Sequence, residues 1–193
     1  MQHFGKKLAL FVFSILAMNT QSLDAQYELE HEFNFKNTLE QQEKYILTFD
    51  EFIAGNKGDL KVDYISPEEL KEYFDEEKKV YLLDLRDSKA YQVSHIEKSR
   101  NIEFDNFNSE KIWMIPKRSK VVLYCTMGEY SVKVARYLSY LGCKDVSVLH
   151  LSIVGWANAG YTLYDGGNHP TNRVMVDNRN QAASLKKGKA ILN

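Results

Sequence analysis

Cys125 closes the apolar run Lys120-Val121-Val122-Leu123-Tyr124 and opens the segment Cys125-Thr126-Met127-Gly128-Glu129-Tyr130-Ser131. The run is β-branched and has the length of a buried parallel strand, and residues 132–141 carry apolar residues at helical spacing. A thiol at such a strand-to-helix junction faces the N–H groups of the connecting loop and the first unpaired N–H groups of the helix. Together these form a concave site for an anion, and the same field favours the thiolate, the nucleophilic form of cysteine. The competing reading makes Cys125 a small buried hydrophobe, the commoner fate of a lone cysteine.

Other chemistries find less support. Cys-x-x-Cys is absent, which argues against thiol–disulfide exchange. The phosphate-clamping pattern Cys-x5-Arg is broken by Ser131 at its last position. His31, His95, His150 and His169 are scattered without a closely spaced ligand pair, so neither a metal nor any other cofactor is expected. A net charge of −1, with acids and bases interspersed, gives no electrostatic case for nucleic acid or for an anionic membrane surface.

The elements that must hold Cys125 alternate between strand and helix, which predicts an α/β fold with a mainly parallel sheet. Strands are expected at 62–65, 80–84, 100–103, 120–124 and 146–149. Ser66-Pro67-Glu68-Glu69 combines an N-cap, a first-turn proline and an acidic first turn, opening a helix to about residue 74. A short helix is expected at 88–92. Ligands of open sheets bind beyond the carboxyl ends of strands, where Asp84, Arg86 and Cys125 all fall. At 193 residues with 44% hydrophobic residues, the chain can bury one ordinary core with extensions at either end.

Residues 1–25 read as a targeting segment: His3, Lys6 and Lys7 precede an apolar run at 8–18 and then Asn19-Thr20-Gln21-Ser22. The run is too short to span a bilayer, and Ala25 offers a cleavage point before Gln26. An uncleaved anchor is the alternative, and membrane contact is expected only through this segment. The expected location is therefore periplasmic or secreted. Thiols tend to pair there, yet the helix after Cys125 separates it from Cys143 by on the order of 18 Å, and a disulfide needs Cα atoms within about 7 Å. Both thiols should be free, with Cys143 structural.

Residues 26–60 are expected to form a helical N-terminal extension. Thr38-Leu39-Glu40-Gln41 fits a capping box, and Leu39, Ile46, Phe49 and Ile53 make an apolar stripe, ending at Gly55, that packs on the main domain or binds a partner. Residues 166–193 hold Arg173, Arg179, Lys186, Lys187 and Lys189 without apolar periodicity and are expected to be a partly disordered basic tail.

Leu83-Asp84-Leu85-Arg86, His95-Ile96, the Cys125 loop, Tyr140-Leu141-Gly142 and Gly155-Trp156 resemble, in order and spacing, the rhodanese family over residues 61–165, most closely its small single-domain bacterial members, some of them periplasmic. The resemblance implies a five-stranded, mainly parallel sheet flanked by helices on both faces. It also implies a sulfurtransferase in which Cys125 takes a sulfane sulfur from a small donor such as thiosulfate, holds it as a persulfide, and passes it to a thiol or cyanide. A monomer without cofactor is expected. The N–H groups of Thr126, Met127, Gly128, Glu129, Tyr130 and Ser131 would cradle the persulfide, with Gly128 allowing the turn. Ser131 would add a hydrogen bond or cap the helix. Asp84 and Arg86 would hold the loop, or act as a plain ion pair supporting the fold. His95 would support the fold and Trp156 the core.

The loop departs from efficient thiosulfate users in carrying Glu129 instead of a cation, and an inward carboxylate would repel a dianion. The rival to sulfur transfer is a non-catalytic rhodanese-like module that binds a partner or senses redox state, favoured by Glu129 and the N-terminal helix.

Overall fold

The computed structural model describes residues 47–55 and 60–193. The chain divides into two compact units, Met1–Leu47 and Thr48–Asn193, and every described element lies in the second. The expected targeting segment and the Thr38 capping box fall outside the described residues.

Helix α1 (Phe49–Ala54) is followed by β1 (Asp63–Ile65), α2 (Pro67–Asp75), β2 (Tyr81–Asp84), α3 (Ser88–Val93) and β3 (Arg100–Asn101). After a 3-10 turn at Ser109–Ile112 come β4 (Lys120–Tyr124), α4 (Glu129–Tyr140), β5 (Asp145–Leu149) and α5 (Ser152–Ala159). The C-terminal region adds β6 (Leu163–Tyr164), β7 (Pro170–Thr171), β8 (Arg173–Val176), α6 (Arg179–Ser184) and β9 (Lys189–Leu192).

Strands β1 to β5 form one parallel sheet in the order β1-β5-β4-β2-β3. Parallel sheets are covered on both faces, which requires near-continuous apolar strands. Accordingly, all of β4 beyond Lys120 and all of β5 beyond Asp145 is buried. The register sets Asp84 beside Tyr124 and Leu123 beside Val148, so the ends of β2, β4 and β5 converge. Helix α5 runs through the interior, burying Ile153, Val154 and Trp156. A Cβ on its Gly155 would lie 2.3 Å from the His150 carbonyl oxygen, so only glycine lets this helix sit so close to the end of β5.

The sequence expectation for the sheet is met, with α4 starting at Glu129 rather than at residue 132 and β3 stopping at Asn101. Glu103, expected in β3, adopts a positive φ of 47°, which ends an extended strand. In α1 the buried residues are Phe49 and Phe52, while Ile53 faces outward. Phe49 packs edge-on against Phe104, Phe107 and Tyr137.

The C-terminal region corrects the expectation of a partly disordered tail. Strand β8 pairs in parallel with β9, and Val174 and Val176 are fully buried in the main core. Burying a valine side chain contributes about 1.5–3 kcal/mol, enough to order a short segment. The Asn158 side chain of α5 adds a clamp: its Nδ2 donates to the Ser184 carbonyl and its Oδ1 accepts from the N–H groups of Lys186 and Lys187. The cations that dominate the composition of this stretch occupy its exposed positions.

Candidate active site

The apolar pressure on β4 ends at Tyr124, and the chain turns through residues 125–128 into α4. Cys125 sits in this turn with 3% of its surface exposed. Its Sγ accepts a hydrogen bond from the Gly128 N–H at 3.0 Å. Gly128 has φ of 114°, a left-handed conformation that L-residues rarely adopt. That conformation bends the loop back so that its amide reaches the sulfur.

Gly128 occupies the N-cap position of α4, and no side chain caps the helix. Among the described residues, the N–H groups of Thr126, Met127, Glu129, Tyr130 and Ser131 have no hydrogen-bond partner. The hydroxyl of Ser131 is buried and also unpartnered. Of the two roles expected for Ser131, capping is therefore not the one it performs. A buried sulfur that accepts from a backbone N–H at the positive end of a helix can hold negative charge there.

Two further hydrogen bonds fix the loop from the start of α5. The Cys125 N–H donates to Ser152 Oγ at 3.2 Å, and the Ile153 N–H donates to the Cys125 carbonyl at 3.2 Å. Ser152 was not singled out from the sequence. It stands just past the end of β5, the position the carboxyl-edge rule marks. Leu151 and Ser152 have φ of 54° and 52°, two consecutive non-glycine residues in the left-handed region. Each costs about 1–3 kcal/mol.

Asp84 and Arg86 form a fully buried pair beside this loop. Arg86 Nη2 lies 2.5 Å from Asp84 Oδ2 and Nε lies 3.0 Å from Oδ1, while the Arg86 N–H also donates to Oδ1. Arg86 Nη2 donates further to the Ser94 carbonyl, and Asn101 Nδ2 donates to the Asp84 and Arg86 carbonyls. These bonds run among β2, β3 and the end of α3 and do not enter the Cys125 loop. Of the two roles expected for the pair, its geometry matches the ion pair that supports the fold. Burial works against the Arg86 charge, but the Asp84 carboxylate outweighs it and holds the guanidinium above its ordinary value.

The remaining candidates are spread over the site's wall and rim. Thr126 is buried and Met127 packs on the core. The Glu129 side chain points outward, 78% exposed, and pairs with Lys133 at 3.1 Å. Tyr130 is 40% exposed and stacks on Phe104 with ring centroids 4.2 Å apart. His95 supports the fold: its backbone pairs with Tyr164, its ring stacks on Tyr91, and Nδ1 contacts the Tyr91 carbonyl. Trp156 is core, with its indole N–H bonded to the Thr162 carbonyl. Both cysteines are free, and burial raises the Cys143 thiol above its ordinary value, with Lys117 opposing. Among the described residues no group of acidic, histidine and cysteine side chains is arranged to hold a metal, and no helix is long and apolar enough to cross a membrane.

A family model for the rhodanese-like domain matches residues 66–159. The chain is 32% identical over 94 residues to the probable adenylyltransferase/sulfurtransferase MoeZ of Mycobacterium tuberculosis, covering 48% of this chain and 24% of that protein. It is 27% identical over 125 residues to a tRNA uridine(34) hydroxylase of Legionella pneumophila, covering 60% of this chain and 49% of the other. The chain thus spans between a quarter and a half of the length of these curated relatives. The crystal structure of thiosulfate sulfurtransferase from Pseudomonas aeruginosa aligns with a TM-score of 0.50 at 18% identity, over 64% of this chain and 23% of that one, which is a likeness of fold.

Proposed function

We propose that the protein, whose residues 66–159 match the family model for the rhodanese-like domain, is a sulfurtransferase that carries sulfane sulfur as a persulfide on Cys125. The observation that carries this reading is the Gly128 N–H directed at the buried Sγ at the N-terminus of α4. A cysteine serving only to fill the core has no use for an amide aimed at its sulfur. The similarity to MoeZ, whose name includes a sulfurtransferase, supports the same reading.

The proposed reaction has two steps. The Cys125 thiolate attacks the outer sulfur of a donor, forming a new S–S bond as the donor's own bond to that sulfur breaks and the remainder leaves as an anion with the electron pair. The outer sulfur of the resulting Cys125 persulfide is then attacked by an acceptor thiolate. The Sγ–S bond breaks, the electron pair returns to Sγ, and the acceptor leaves as the persulfide. Negative charge stays on sulfur throughout, where the amides of residues 126–131 and the helix dipole stabilise it. The Ser131 hydroxyl has a free donor for the same charge.

Intact mass of the purified chain after exposure to a persulfide donor and, separately, to thiosulfate tests the reading. The expected result is a gain of one sulfur on the wild type, reversed by a thiol and absent in Cys125→Ser. A folded protein that takes up no sulfur from any donor would overturn it in favour of a non-catalytic binding module. The similarity to tRNA uridine(34) hydroxylases supports a second reading, and modification of tRNA in the absence of sulfur loading would establish it. The expected export of the protein enters the proposal as the setting for this chemistry, and the N-terminal residue and cell fraction of the mature protein test it.

A further inference from the structure

The surface beside the Cys125 loop is apolar and acidic at once. Tyr130, in the first turn of α4, stacks on Phe104, and Phe104 also lines a groove of about 400 Å³ together with Phe49, Asp50, Ile53, Ala54 and Asp105. The floor of this groove is aromatic and aliphatic, and among the described residues that line it the charged ones, Asp50 and Asp105, are both carboxylates. Glu129, next to Tyr130 in the first turn of α4, is exposed. Lys133 pairs with Glu129 and lies over the rings of Phe104 and Tyr130. On the β5 side of Cys125, Leu151 is 45% exposed beside Ser152.

We infer that the sulfur partner of Cys125 is a thiol on a protein segment that carries basic residues next to apolar ones, docked along Tyr130, Phe104 and the groove of α1. This rests on the sulfurtransferase reading and names its substrate class. A small dianion such as thiosulfate gains nothing from an apolar groove bordered by the Asp50 and Asp105 carboxylates. A basic, apolar segment gains on both counts: opposite charge steers its approach and the aromatic floor anchors it. Burial, and then the carboxylates of Asp105, Glu129 and Asp177, hold the Tyr130 phenol above its ordinary value, with Lys133 opposing, which agrees with a rim that disfavours added negative charge.

The test uses the full chain, loaded with one sulfur from a neutral persulfide donor, and two synthetic cysteine peptides with the same apolar residues. One has lysines flanking the cysteine and the other glutamates. In single-turnover transfer at low salt, the lysine peptide should take the sulfur faster by on the order of tenfold. That ratio should shrink as salt screens the charges, and Asp50→Asn with Asp105→Asn should reduce it severalfold. Equal rates, a preference for the glutamate peptide, or a ratio untouched by the double substitution would overturn the inference while leaving the sulfur chemistry standing. Fluorescence anisotropy of the lysine peptide with serine in place of its cysteine reads docking without chemistry. Binding that weakens in the double variant supports the surface even in a protein that carries no sulfur, whereas no binding overturns it.

Discussion

Helices α2 and α4 both rise from the carboxyl edge of the same sheet, and their first turns are built in opposite ways. At α2, Ser66 accepts from the Glu69 N–H, Glu69 reaches back to the Ser66 N–H, and Pro67 removes a donor that would otherwise be orphaned. At α4 the N-cap is a left-handed glycine, no side chain caps the helix, and the glycine amide donates to the Cys125 sulfur. One helix start is closed for stability and the other is left open. Filling donors with a capping side chain is the inexpensive arrangement, and at α4 the N-cap amide goes to the Cys125 sulfur instead.

The contrast breaks most visibly at the open end. Gly128→Ala forces a side chain into the left-handed turn and moves the amide off Sγ. Sulfur loading should fall on the order of 100-fold and stability by about 1–3 kcal/mol, read by mass spectrometry and by urea unfolding. Unchanged loading would mean that the Gly128 amide is not part of the cradle. Next in size is Ser152→Ala, which leaves the buried Cys125 N–H unpaired at about 1–3 kcal/mol. Ser152→Gly should recover about 1 kcal/mol of this by relieving the left-handed backbone, with loading impaired in both variants. If glycine is no better than alanine, the backbone at residue 152 stores no strain.

At the closed end, Ser66→Ala should cost about 1 kcal/mol and leave sulfur loading at the wild-type rate. A loss of loading there would erase the distinction between the two termini. The smallest effect is on pH dependence. The Ser66 N–H holds the Glu69 carboxyl below its ordinary value of 4.5. A depressed folded-state value contributes stability that is fully present above the unfolded value and lost as pH falls through the folded one. The stability difference between wild type and Glu69→Gln should therefore persist at neutral pH and close on acidification. A difference that widens in acid would contradict the capping bond.

The same two termini explain what the sequence could convey. Ser66-Pro67-Glu68-Glu69 announces its helix because each residue type acts on its own neighbours, and Cys125 announced itself because the apolar strand stops there. Ser152 stayed hidden because its partner is the backbone amide of Cys125, distant in sequence, and serine carries no signal for that. The start of α4 was read three residues late for a related reason: Glu129-Tyr130-Ser131 looks like loop once a capping side chain is missing. The C-terminal strand was hidden by its flanks, since Val174-Met175-Val176 is a short apolar island among cations and its burial depends on Asn158 and the core of the main sheet.

The strand order β1-β5-β4-β2-β3 also bears on how the chain assembles over time. Strand β1 is made first and pairs only with β5, the last strand of the sheet to leave the ribosome. Throughout the intervening synthesis its ladder has no native partner, and distant pairings of this kind close slowly. A three-residue strand with the charged Asp63 exposed at its edge offers a stray strand little to add to. The central strands can therefore gather around the nascent Cys125 turn before the edge of the sheet is sealed.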